Sequence, residues 1–299
     1  MLYTRLTAVA TALVAACACV IATGASASAG GVSWTDQTVF AISPTESYVA
    51  EWMGLSSGWT IIGGPASNVY AGSAGVFATN PTTGNIYMYN GTPNSWTQIG
   101  GPGAQFAEGG GHLYAIGPND AYVAEWMGLS SGWTIIGGPA QDISAGPAGL
   151  VELSQGQTLL YNGTPGAWTV IGGQAETVSV GANAIYRVDW AGYTVDQWTG
   201  GTTWETILDG GTEQVGAIAG VAGLFATEGN EDLEYNGTPN SWRQISSSNP
   251  WVVAVSRTEA YGITLNSSGT VASVDLYSGS GTSWTVIGGP ADMYLAAGD

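Results

Sequence analysis

A tryptophan followed three residues later by isoleucine recurs seven times in this 299-residue chain, at Trp59, Trp96, Trp133, Trp168, Trp204, Trp242 and Trp284. Successive copies lie 37, 37, 35, 36, 38 and 42 residues apart, and most of them end in Gly-Gly. Self-similarity at this period constrains the fold more than any local propensity. Each repeat is one small unit that cannot bury its apolar face alone and must stack on its neighbours. Seven copies predict seven units.

Within one unit, residues 66–101, four short apolar runs stand out: Asn68-Val-Tyr-Ala71, Gly75-Val-Phe-Ala78, Asn85-Ile-Tyr-Met-Tyr89 and Trp96-Thr-Gln-Ile99. Gly-, Asn- and Pro-rich turn sequences separate them, and no window offers a useful helical period. Four antiparallel strands per repeat of about 37 residues predict an all-β chain, a β-propeller of seven four-stranded blades. Two kinds of unit alternate. The segment Tyr48 to Ala66 recurs unchanged at Tyr122 to Ala140, two blades on, and the other kind carries Tyr-Asn-Gly-Thr-Pro at Tyr89, Tyr161 and Tyr235. Val39-Phe-Ala-Ile42 aligns with a second strand, Leu113-Tyr-Ala-Ile116, so the first blade lacks its inner strand. The tail Ala291–Ala297 matches inner strands elsewhere. Its entry into the first blade would close the ring and hide the terminal edges.

The N-terminal 29 residues read as a secretory signal peptide: Arg5, an apolar run from Leu6 to Ala22, then small residues at Ala25, Ala27 and Ala29. The alternative is a lipid anchor on Cys17, since Val14-Ala-Ala-Cys17 resembles a lipobox. Either way the domain is 30–299, exported and extracellular. Both cysteines, Cys17 and Cys19, fall in the leader, so the exported domain has no disulfide. It keeps all 22 acids, against only Arg187, Arg243 and Arg257. That balance repels phosphate and anionic lipid, so neither nucleic acid nor a membrane span is expected.

The runs Gln141-Asp-Ile-Ser-Ala-Gly146, Gly149-Leu-Val-Glu-Leu153, Leu159-Leu-Tyr-Asn-Gly163 and Trp168-Thr-Val-Ile-Gly172 resemble a tectonin repeat. The pattern is similar to the tachylectin-like propeller lectins over residues 35–299. That resemblance implies a propeller that binds sugars, lipopolysaccharide or protein.

Seven aromatics stand six or seven residues before the repeat tryptophans: Trp52, Tyr89, Trp126, Tyr161, Trp198, Tyr235 and Tyr277. Such rings stack on sugar C–H faces, and the adjacent Glu51, Glu125, Asn90, Asn162 and Asn236 would accept hydroxyl donors. The same rings could equally pack between blades. The repeat tryptophans themselves read as structural, because every unit has one. Two non-repeated aromatics join the candidates: Trp190, in the turn Asp189-Trp-Ala-Gly192, and Trp251, which replaces Asn68, Gln105 and Asp142 at the start of an inner strand.

A lone His112 supports neither a triad nor a zinc site, and Asn230-Glu-Asp-Leu-Glu234 lacks the alternating ligands of a calcium loop. No cofactor is expected. The Asn-Gly-Thr sequons at Asn90, Asn162 and Asn236 read as hairpin turns. No non-repeated carboxylate pair suggests a glycosidase, so the chain is expected not to be an enzyme. The expectation is a secreted lectin that holds surface or cell-wall glycans through several weak, related sites. The alternative is the recognition subunit of a larger secreted assembly, such as a toxin complex, with Trp190, Arg187, Arg243 and Trp251 on its interface.

Overall fold

The computed structural model describes residues 38–247 and 250–297, so the leader, Cys17 and Trp34 lie outside the described residues. Seven sheets of four antiparallel strands follow one another around a ring. Blade 2 shows the plan: Asn68–Gly72 is the inner strand, followed outward by Gly75–Thr79, Asn85–Tyr89 and Trp96–Pro102. Blades 3 to 7 repeat it from inner strands at Gln105–Gly109, Asp142–Gly146, Ala175–Val180, Val215–Ala219 and Trp251–Val255.

Blade 1 is assembled from both ends of the chain. Leu295–Ala297 lies beside Val39–Ile42, in the register Val39↔Ala297 and Ala41↔Leu295, and Val49–Trp52 and Trp59–Gly63 complete the sheet. The closure expected from the tail is present, and no terminal inner edge is left unpaired in the ring.

The core lies between blades rather than within them. Phe40, Ile42, Val49 and Ile62 of blade 1 meet Val69, Ala71, Val76 and Ala78 of blade 2. Val39, Ala41 and Trp52 close the ring against Val253, Tyr261 and Ile263 of blade 7.

The repeated motif has a mechanical explanation. In every blade the pairing of third and fourth strands shifts register, by one residue in six blades and by two in blade 2. Val49 pairs with Gly63 but Ala50 with Ile61, which leaves Ile62 as the extra residue. Ile136, Ile171, Ile207, Ile245 and Ile287 occupy the same bulge, and Ile99 falls within the wider one of blade 2. A bulged residue is left out of the ladder. Its carbonyl is taken by the indole N–H of the next blade: Trp96 donates to Ile62, Trp133 to Ile99, Trp168 to Ile136, Trp204 to Ile171, Trp242 to Ile207 and Trp284 to Ile245. Trp59 donates to Ile287 at 2.8 Å and seals the last blade to the first.

The glycine after the isoleucine makes room for that indole. A Cβ at Gly63 would lie 2.7 Å from Trp96 Nε1, and one at Gly288 2.8 Å from Trp59 Nε1. Leu208 and Ser246 stand at this position before the slots of Trp242 and Trp284, and both hydrogen bonds persist, at 2.7 and 2.9 Å.

Candidate functional site

The seven rings at the end of the third strands each stand opposite the repeat tryptophan of their own blade, from Trp52↔Trp59 to Tyr277↔Trp284. Four of them are buried, with exposures of 5% for Trp52, 7% for Tyr89, 9% for Trp126 and 3% for Tyr277. Trp52 lies 5.5 Å from Trp59, Tyr89 5.0 Å from Trp96, and Trp126 5.6 Å from Phe77 of the preceding blade. These rings have no face free for a ligand; packing between blades consumes them. Tyr161, Trp198 and Tyr235 are half-buried, and the Trp198 indole donates to Gly201 O at 3.0 Å.

Sequence neighbours also separate in space. Consecutive strand residues point to opposite faces, so Trp52 turns toward blade 7 while Glu51 turns toward blade 2. There the Glu51 charge, after burial, raises the Tyr89 phenol above its ordinary value. Glu125 likewise faces Tyr161 of blade 4. The expected pairs Glu51–Trp52 and Glu125–Trp126 therefore do not form; each carboxylate instead bears by its charge on the phenol of the next blade, Tyr89 or Tyr161. Both carboxylates are themselves buried, at 9% exposure. Glu125 is also taken by His112, whose Nδ1 lies 2.6 Å away, and this bond is the main cause raising the imidazole above its ordinary value. Asn90 bonds Ser95 and Thr97, Asn162 accepts from Thr169, and Asn236 donates to Ser241, so these amides serve their own hairpins.

Arg187 and Arg243 are committed internally. Arg187 pairs with Asp196 at 3.0 Å and lies 4.5 Å over the Trp204 ring, while Arg243 pairs with Glu234. Arg187 is thereby largely withdrawn from the surface, whereas the Arg243 side chain keeps 39% of its area exposed. Trp251 is half-buried at the start of the blade 7 inner strand, and its indole N–H meets no acceptor among the described residues. Trp190 is 63% exposed.

An open cleft of about 290 Å³ lies in the groove between blades 1 and 2. Its floor is the end of the repeated motif, Gly63-Gly-Pro-Ala66, with Val49 and Ala78. Its walls carry the Trp96 indole, the Tyr87 ring, Thr79 and Asn80. Tyr87 donates to Gln98, and the Asn80 carbonyl caps its own turn through Thr82 N and Thr83 N, which fixes both side chains. The sequence reading missed Tyr87, Thr79 and Asn80, because they lie inside ordinary strand and turn patterns.

Between blades 3 and 4 the floor residues recur unchanged as Val123 and Gly137-Gly-Pro-Ala140. The wall differs there. At the register position of Ala78, opposite the second residue of the inner strand, stands Glu152, with Leu153 and Leu159 for Thr79 and Tyr87. Glu152 is 5% exposed, its Oε2 meets no partner among the described residues, and burial pushes its carboxyl up to about 7. The two grooves share a floor and not a chemistry.

Among the described residues, no group of three His, Cys, Asp or Glu side chains could hold a metal ion, and no helix is long and apolar enough to cross a membrane. No family model and no curated protein sequence matches the chain. Solved structures do. The chain is similar to PorZ, an essential bacterial surface component of the type-IX secretion system of Porphyromonas gingivalis, with a TM-score of 0.61 and 13% identity over 86% of this chain. It spans only 37% of that protein's length. YCF48 bound to D1 peptide matches with a TM-score of 0.53 and 11% identity, over 87% of this chain and 88% of the other. AztD from Citrobacter koseri gives 0.52 and 11%, over 87% and 97%. Likeness at this identity concerns the propeller fold, which serves different roles in these proteins.

Proposed function

We propose that the chain is an exported, non-catalytic binding propeller that holds a carbohydrate in the groove between blades 1 and 2. It would be a tectonin-like lectin working through fewer sites than its repeats suggest. One observation carries the reading: the cleft sets two rings, Trp96 and Tyr87, beside the amide of Asn80, with the buried Thr79 hydroxyl held by Ser67 behind them. Such a combination suits one or two sugar residues, whose C–H faces stack on rings while their hydroxyls need both donors and acceptors. The volume is at the small end for ligand sites, which favours a glycan tip over a long chain segment.

Tyr87 is half-exposed and outside the blade-locking bonds, so it can be tested without unfolding the ring. Glycan-array screening followed by calorimetry of Tyr87→Ala and Asn80→Ala measures the site. We expect Tyr87→Ala to weaken the best glycan roughly two- to tenfold, in line with about 0.5–1.5 kcal/mol for an aromatic contact. A wild-type protein that retains no glycan, or a Tyr87→Ala variant that binds unchanged, would overturn the assignment.

A further inference from the structure

Trp190 is the only tryptophan in the exposed class among the described residues, and it stands in a turn built to be rigid. The Asp189 carboxylate accepts from the backbone N–H groups of Ala191, Tyr193 and Thr194 at 3.0, 2.8 and 2.8 Å. Burial works against its charge, but those amides hold the Asp189 carboxyl below its ordinary value. Tyr193, in the same turn, is 39% exposed. A Cβ at Gly192 would lie 2.5 Å from Glu176 Oε2, so the glycine lets that carboxylate sit directly beneath the turn.

The connection into blade 6 is stitched to the same turn. Val215 N donates to Gly192 O and Gly210 N to Tyr193 O, both at 2.9 Å, which brings the exposed Asp209 alongside, while the Glu213 carboxylate turns toward Gly229 and Glu228. Burial and then the neighbouring Asp189 charge raise the Glu176 carboxyl. No ion pair among the described residues reaches Glu176, Asp189 or Asp209, and Arg187 and Arg243 are held elsewhere.

An exposed indole on a fixed turn has no packing role, and its surroundings define what it can accept. Anionic surfaces are repelled, and a neutral glycan would leave the carboxylates uncompensated. A guanidinium answers both features, because it stacks flat on an indole and carries the opposite charge. We propose that the face of blades 5 and 6 around Trp190 docks a basic segment of a partner protein, an arginine lying on the indole beside Glu176, Asp189 and Asp209. This surface is separate from the cleft between blades 1 and 2 and does not depend on the sugar reading.

The test uses the full chain and a fluorescein-labelled (Arg-Gly)₅ peptide, with (Lys-Gly)₅ and (Gln-Gly)₅ as controls, read by fluorescence anisotropy. The Arg peptide should bind best and the Gln peptide not at all. Trp190→Ala should weaken the Arg peptide roughly three- to thirtyfold with no change in net charge, and Trp190→Phe should restore most of the loss. Glu176→Gln added to Trp190→Ala should weaken it further and flatten its salt dependence. A protein with formal net charge −18 attracts any polycation, so the neutral substitution decides. If Trp190→Ala binds the Arg peptide as the wild type does, the attraction is diffuse and the docking site is overturned. Binding of chitosan oligomers at Trp190 with no peptide binding overturns it too.

Discussion

Replacing Trp133 by Phe would keep a ring in the slot beside Gly100 and remove only the N–H that reaches Ile99 O. The bulged carbonyl would then be buried without its partner, and we expect a loss of about 1–3 kcal/mol in urea unfolding. Gly63→Ala attacks the same joint from the other side by forcing a methyl onto the Trp96 indole, for about 1–3 kcal/mol. Trp190→Phe, by contrast, should fall within about 0.5 kcal/mol of wild type, as exposed substitutions do. Buried acids give a second residue-scale expectation. Burial raises the carboxyls of Asp142 to about 6 and of Asp232 and Glu152 to about 7, in the first two cases against hydrogen bonds that pull downward. A folded-state value above the unfolded one stabilises most below the unfolded pKa, and that stability is lost as pH rises through the folded value. Between about pH 4 and 7 the melting temperature should therefore fall with rising pH, which calorimetry at pH 5 and pH 8 would measure. Glu152→Ala copies Ala41, Ala78, Ala115 and Ala226 at the same register, and should raise the pH 8 melting temperature and flatten the slope.

The last strand, Leu295–Ala297, is three residues long yet holds the ring shut. Its residues are buried, and its neighbours Phe40, Val253 and Tyr261 would be uncovered without it. Deleting residues 291–299 should leave the hydrogen bond from Trp59 to Ile287 and the packing of Val39, Ala41 and Trp52 as the remaining links between blades 7 and 1. We expect a large drop in melting temperature and early proteolysis within those two blades, read by mass spectrometry of the fragments. An unchanged melting temperature would mean that closure adds little. This element was legible in the sequence because Val39–Ile42 aligned with second strands, which left an inner strand missing. The bulge was not. Nothing in Trp-x-x-Ile says that the isoleucine is the extra residue, since a register shift depends on the facing strand as well.

At the scale of the whole molecule, one rigid ring presents two unlike surfaces: a small ringed cleft between blades 1 and 2, and an acidic face bearing Trp190 on blades 5 and 6. Tyr87→Ala should weaken glycan binding and leave the Arg-peptide signal intact, and Trp190→Ala should do the reverse; one variant weakening both would mean a single shared site. The repeat period and its turn chemistry determined the blade number, the four strands per blade and the closure, because each follows from local pattern and from counting. Which aromatics face a ligand was decided only by the tertiary structure. Trp52, Tyr89 and Trp126 carry the residue types of a sugar site, yet burial against the preceding blade is settled by how neighbouring sheets stack. Glu51 was separated from Trp52 by strand alternation and joined to Tyr89, thirty-eight residues away, by the packing of two blades. Only contacts between units could make that pairing, and periodicity describes one unit at a time.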